Sequence, residues 1–221
     1  SSKFISAIFQ FLAAIEFHPL ISLIPRIIKR EKINRNIYKA PAISLKHMLQ
    51  NYSKYRILQE FFDFPRKNFQ MREISRRTKI AQPSVINHLK SLLKEEFILK
   101  EKKGTYPSFI ANRDSLRFKI YKKFNILIRL YETGLIEHIS DSCFPNVIIL
   151  FGSASKGEDT EESDLDLFIQ SKAKKLNLEK YKKLLNRKIS LFFEDNFSRL
   201  SNELKNNILN GIILKGYIKI F

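Results

Sequence analysis

The sequence predicts an α+β chain in two unlike parts, mainly helical first and strand-bearing after. Three observations carry this. Apolar residues recur at helical spacing between residue 44 and about residue 140. Beyond that point come short apolar runs at 147–151, 167–169 and 188–193, each bounded by turn-forming or charged residues, as strands are. The charge also changes: residues 1–140 hold 27 Lys and Arg against 11 Asp and Glu, whereas residues 141–221 hold 13 against 11. A basic binding part joined to a near-neutral part with a different task is the simplest reading.

Length and composition narrow the field further. A chain of 221 residues makes one large domain or two small ones, and 44% hydrophobic residues suffice to bury a core. A single cysteine, Cys143, excludes a disulfide framework and any multi-cysteine metal centre within one chain. It fits a reducing, cytoplasmic compartment. The net charge of +18 points to a polyanionic partner, most simply nucleic acid. Because the chain is also rich in Lys and Ile, which a coding bias alone can produce, the position of the charge says more than its sum.

The expected organisation is an apolar helix and basic arm (1–43), a helical module (44–113), a helical connector (114–140) and a second module (141–221). Residues 4–15 are almost continuously apolar, but the run is too short to span a membrane and meets Glu16 and Pro19. Packing against the domain or a partner is favoured over contact with a membrane surface. Arg26, Lys29, Arg30, Lys32, Arg35 and Lys39 follow with one acid among them.

In the helical module, apolar residues from Leu45 to Phe61 predict a helix stopped by Pro65. Residues 71–80 predict a short helix with Ile74 and Thr78 inward. Residues 81–98 predict another, with Pro83 in its first turn and Val85, Leu89, Leu92 and Leu93 in one buried stripe. Its other side carries Ser84, Asn87, His88, Lys90 and Ser91, residue types that contact base edges and phosphates. Residues 98–110 read as a hairpin whose tip contains Gly104. Helix, helix, turn, helix, hairpin is an order that resembles the winged helix-turn-helix of archaeal and bacterial transcription regulators. The segment holds 15 basic and 6 acidic residues, as duplex binding by counterion release requires. The resemblance implies DNA contacts from Arg72, Arg76, Arg77 and Lys79 beside the turn, from Ser84, Asn87, His88 and Lys90 on the recognition helix, and from Lys100, Lys102 and Lys103 on the wing. It also makes a homodimer the expected assembly. Protein interaction is the alternative use of such a module.

The connector shows helical spacing at Leu116, Ile120, Phe124, Leu127, Ile128 and Tyr131, broken at Gly134. The four histidines have no ligand spacing, and Cys143 reads as structural.

The chemistry concentrates in VIILFGSASKGEDTEESDLDLFI (147–169). A buried strand runs straight into Gly152-Ser153. Ten residues later Asp164-Leu165-Asp166 opens a second apolar strand. Residues i and i+2 of a strand share a face, so Asp164 and Asp166 project side by side next to the Gly-Ser turn. Two adjacent carboxylates repel unless a cation lies between them, and Mg²⁺, which prefers oxygen ligands and phosphates, is the natural occupant. Gly152 lets backbone amides approach a phosphate, and the Ser153 hydroxyl can bond a phosphate oxygen.

Gly-Ser, a ten-residue spacer and Asp-x-Asp between apolar strands resemble the nucleotidyltransferase motif of the DNA polymerase β superfamily. With Lys156, Gly157, Glu158, Asp159 and Ser163, the stretch looks most like the minimal nucleotidyltransferases of archaea and bacteria. LNGIILKG (209–216) is similar to the end of those domains, where a helix leads into an apolar strand. The fold implied is a small mixed-sheet polymerase β-like domain. The resemblance further implies two Mg²⁺ on Asp164 and Asp166, the β/γ phosphates of an NTP, ATP by preference, on Gly152 and Ser153, and Lys156 as an auxiliary to the phosphates. In-line attack by an acceptor hydroxyl on the α-phosphorus would release pyrophosphate.

One departure stands out. The family's third carboxylate lies on a following strand, and Ser190 occupies that place here. Glu194, on the same face as Ser190 if the strand reaches that far, is the nearest acid. Either Glu194 substitutes as a catalytic residue, or the domain binds nucleotide without efficient transfer. Three functions follow: an enzyme moving an NMP, AMP first, to a protein or RNA hydroxyl; a DNA-binding regulator with a degenerate, nucleotide-sensing domain; or an antitoxin-like partner of a helical RNase.

Overall fold

The computed structural model describes residues 52–101 and 106–218. The apolar segment and basic arm of 1–43, residues 44–51 of the first expected helix, and the wing-tip residues Lys102 and Lys103 lie outside the described residues.

The described residues form one compact unit. It begins with helix α1 (Ser53–Asp63), a two-residue strand β1 (Phe69–Gln70), α2 (Met71–Thr78), α3 (Gln82–Lys94) and the hairpin strands β2 (Ile98–Glu101) and β3 (Ser108–Ala111). The strands form an antiparallel sheet in the order β1-β3-β2. Strand β1 has no signal in the sequence, because two residues show no period. It exists because Phe69 and Gln70 pair with Phe109 and Ser108. α2 ends at Lys79 in the left-handed conformation (φ 53°), and Pro83 lies in the first turn of α3. Ile57, Phe61, Ile74, Val85, Leu89 and Leu92 meet in one core. Phe61 and Phe69 pack edge to face with centroids 5.3 Å apart.

α4 (Leu116–Glu132) starts at the cap Ser115, whose hydroxyl accepts from the Phe118 amide. Its first turn contributes Phe118 to the helical core, and its second half contributes Ile126 and Leu130 to the core beyond. The expected connector therefore belongs to both modules. Gly134, at φ +75°, separates it from α5 (Leu135–Cys143).

The second half continues with β4 (Val147–Phe151), the single-turn helix α6 (Gly152–Lys156), β5 (Leu165–Ile169), α7 (Glu179–Leu185), β6 (Ile189–Phe193), α8 (Asn202–Leu209) and β7 (Ile212–Gly216). The sheet order is β6-β5-β4-β7; β5 and β6 are parallel and the other pairs antiparallel, so the sheet is mixed. Both faces of β4 are covered: Ile148 and Leu150 join one core with α4 and α5, while Val147 and Ile149 join a second with Phe168, Phe197 and Ile208. Burial on both faces explains why β4 reads as a continuous apolar run rather than an alternating one.

Buried charges tie the two halves together. Lys122 of α4 donates to the Asp159 backbone carbonyl and lies 3.2 Å from the Asp159 carboxylate; Arg187 lies 3.9 Å from that carboxylate. All three residues are under a tenth exposed. Arg187 also donates to the Asp63 carbonyl at 3.0 Å, and Arg129 pairs with the Asp63 carboxylate at 2.6 Å. No helix among the described residues is long and apolar enough to cross a membrane.

Candidate active site

The acid pair sits where β4 and β5 end side by side. Phe151 is paired with Asp166, so the chain leaving β4 at Gly152 passes beside the Asp166 carboxylate. Gly152 has φ +71°, and a Cβ added there would stand 2.5 Å from Asp166 Oδ2. Backbone conformation and space both demand glycine. Ser153, half-buried, follows in α6; Lys156 ends that turn and is exposed.

Leu165, Leu167 and Ile169 face the core shared with α4 and α5, so Asp166 points to the opposite face with Phe168. Phe168 is fully covered there and packs on Phe197, centroids 6.0 Å apart, whereas Asp166 is half-buried. The apolar cover stops between them, and the acids stand at its edge. Burial, and then the neighbouring Asp164 charge, push the Asp166 carboxyl above its ordinary range.

Ser190 lies directly across from Asp166 on β6, and its hydroxyl donates to Asp164 Oδ2 at 2.9 Å. By the resemblance read from the sequence, this is the place expected of a third acid.

Glu194 does not take over that position. Parallel register pairs Ser190 with Asp166 and Phe193 with Ile169, so Glu194 lies at the opposite end of β5 from Asp164. Four residues of strand at about 3.3 Å each separate it from Ser190 along the sheet. Its carboxylate accepts from the Asn196 amide at 3.0 Å and lies 3.9 Å from Arg199. Alternation placed Glu194 on the correct face; parallel register put it at the wrong end.

Three other acids of the 158–166 stretch are paired with cations from elsewhere in the chain. Glu158 pairs with Lys119 at 2.7 Å, and that hydrogen bond holds its carboxyl below the ordinary range. Asp159 is committed to Lys122 and Arg187, and Glu162 lies 3.4 Å from Arg66. Glu161 Oε2 is buried without a hydrogen bond, yet among the described residues no three of His, Cys, Asp and Glu gather in a way that could hold a metal. Asp164 and Asp166, like-charged oxygen donors on one face, fit one hard divalent cation. The donor set for a second is short of an acid.

On the helical half, Arg72, Arg76, Lys79, Ser84, Asn87, Lys90 and Lys100 are exposed. Two of the expected contact residues have internal partners. Arg77 pairs with Glu60 at 2.5 Å and lies 4.6 Å from the Phe64 ring centroid. His88 Nε2 is hydrogen-bonded to Ser53 at 2.7 Å, and burial, with Lys54 nearby, lowers its pKa. Ile86, 39% exposed beside Asn87, is an apolar residue that periodicity did not single out.

The second half is thus a mixed four-stranded sheet with an acid pair beside a Gly-Ser turn. Residues 135–218 match the family model described as Polymerase beta, Nucleotidyltransferase. The match covers the second half of the chain alone, which at family level is similar to domains of nucleotidyl transfer. No curated protein and no solved structure matches the chain.

Proposed function

We propose that residues 141–221 transfer an NMP, AMP first, from NTP to a hydroxyl on protein or RNA in the cytoplasm, and that a winged helix spanning 44–113 brings the chain to nucleic acid. The close seating of Gly152 on Asp166, with Asp164 beside it, carries this reading, because it sets a phosphate-accessible backbone against an acid pair. Asp164 and Asp166 would hold Mg²⁺, which would neutralise charge on the triphosphate. Gly152 opens backbone amides to the β/γ phosphates, and the Ser153 hydroxyl bonds a phosphate oxygen. Lys156 adds positive charge at the open end of the turn. Ser190 fixes the rotamer of Asp164. Full-length protein incubated with each α-labelled NTP, Mg²⁺ and RNA or protein acceptors is expected to transfer label, with ATP preferred; Asp164→Ala and Asp166→Ala are expected to abolish it. Undiminished transfer by both variants removes the reading.

The hydroxyl of Ser190 where a third acid is expected favours a second reading: a duplex-DNA-binding regulator whose C-terminal domain binds nucleotide and transfers it poorly. Proton transfer alone contributes roughly 10²–10⁴-fold to such reactions, so a missing base has a visible kinetic effect. On this reading Arg72→Ala, Arg76→Ala and Lys90→Ala each reduce the log-affinity versus log-salt slope for duplex DNA by about 1, while Asn87→Ala alters sequence preference with little change in slope. Fluorescence anisotropy at several salt concentrations measures both. A slope unchanged by all three cationic substitutions excludes this face from the interface.

A further inference from the structure

We propose that Ser190 limits this site to a single divalent cation per bound nucleotide. This inference rests on the nucleotide-binding reading above and adds to it the metal complement. Mg²⁺ in nucleotide sites is held by one or two carboxylates together with the substrate phosphates, so a second cation on the same triphosphate is favoured by a further acid beside the pair. Asp164 and Asp166 form that pair. Beside it, across the parallel β5–β6 register, Ser190 stands opposite Asp166. Its hydroxyl proton is directed at Asp164 Oδ2, 2.9 Å away. A hydroxyl in that orientation satisfies the carboxylate oxygen as a donor and brings no negative charge of its own. A cation approaching the same oxygen from the β6 side must displace that hydrogen bond and finds no acid in return.

The neighbouring acids that have partners do not make up the loss. Glu158 and Glu162 are paired with Lys119 and Arg66. Asp159 is buried against Lys122 and Arg187. Glu194 is held at the far end of the strand by the Asn196 amide. The first cation keeps its ligands, so nucleotide binding survives; the second has lost its own.

Counting Mn²⁺ bound to the full chain by electron paramagnetic resonance, with a saturating non-hydrolysable ATP analogue, tests this. Wild type is expected to bind one Mn²⁺ per nucleotide and Ser190→Asp two. Ser190→Ala is expected to keep one, with Mn²⁺ affinity weakened about three- to tenfold by loss of the hydrogen bond to Asp164. Thermal melting by circular dichroism establishes that each variant is folded. Two ions in wild type overturn the proposal, as does a single ion in folded Ser190→Asp, or Mn²⁺ affinity in Ser190→Ala equal to wild type. Failure of wild type to retain the analogue at all, with or without Mn²⁺, instead sinks the nucleotide-binding reading on which the proposal stands.

Discussion

Lys122→Met is expected to destabilise the protein by about 3–5 kcal/mol, the size of effect seen when one partner of a buried ion pair is removed. The substitution is close in volume and keeps the helix-forming character of α4, so the loss falls on Asp159. That carboxylate is 4% exposed and would be left with the Arg187 guanidinium 3.9 Å away. The triple variant Lys122→Met/Asp159→Leu/Arg187→Met is expected to regain part of the loss, because replacing a whole buried ionic cluster with apolar side chains is frequently neutral or favourable. Urea denaturation of the three proteins measures both effects. A Lys122→Met loss below about 1 kcal/mol means that the cluster is not held as tightly as its burial implies. A pH dependence accompanies the loss. Burial lowers the Lys122 pKa below its ordinary 10.5 despite the attraction of Asp159. In the alkaline window between the lowered value and 10.5, the unfolded chain therefore binds more protons than the folded one, and the Lys122 contribution to stability grows as pH rises. The difference between wild type and Lys122→Met should widen in favour of wild type through that window.

The same cluster links the two halves. Asp159 lies just beyond the Gly152 turn, Arg187 just before the strand that carries Ser190, and Asp63 at the end of the first helix of the basic module. Lys122, Arg187 and Arg129 join these three segments. A shift in the helical half therefore bears on both flanks of the acid pair.

The parts of this arrangement legible in the sequence share one property: they follow from local periodicity. Gly152-Ser153 followed by Asp164-x-Asp166 could be placed because a buried strand, a turn and period-two alternation are all short-range patterns. The break between α4 and α5 was legible at Gly134, which adopts φ +75°. What was not legible depends on register or on distant partners. Alternation assigns Glu194 to the face of Ser190, but only the parallel pairing of β5 with β6 tells how far along the sheet it lies. Glu158, Asp159 and Glu162 lie close to the acid pair in sequence, but their partners Lys119, Lys122 and Arg66 come from elsewhere in the chain, where local spacing says nothing. His88 sat on the polar side of α3 by spacing, yet Ser53 of α1 holds it. The solvent exposure of Ile86 and the pairing of β1 likewise arise only in the assembled fold.

Gly152→Ala is expected to weaken nucleotide binding about 10- to 100-fold, and Gly134→Ala is not, although both glycines have positive φ. The contrast separates backbone strain from a direct effect at the site. Placing alanine at φ +71° or +75° strains the backbone by about 1–3 kcal/mol in either case. At Gly134 nothing lies within 4 Å of the added Cβ, so the strain is the whole effect. At Gly152 the Cβ would stand 2.5 Å from Asp166 Oδ2. Either the carboxylate swings off the axis it shares with Asp164, or the turn lifts away from β5. The first movement displaces a cation ligand and the second withdraws the amides and the Ser153 hydroxyl from the phosphates, so binding suffers by both routes. Isothermal titration with an ATP analogue and Mg²⁺, alongside thermal melting, reads the two quantities separately. Similar losses of stability with a binding defect confined to Gly152→Ala are the expected result. Equal nucleotide affinity in the two variants would mean that the Gly152 turn does not meet the phosphates, and the acid pair would then need another explanation.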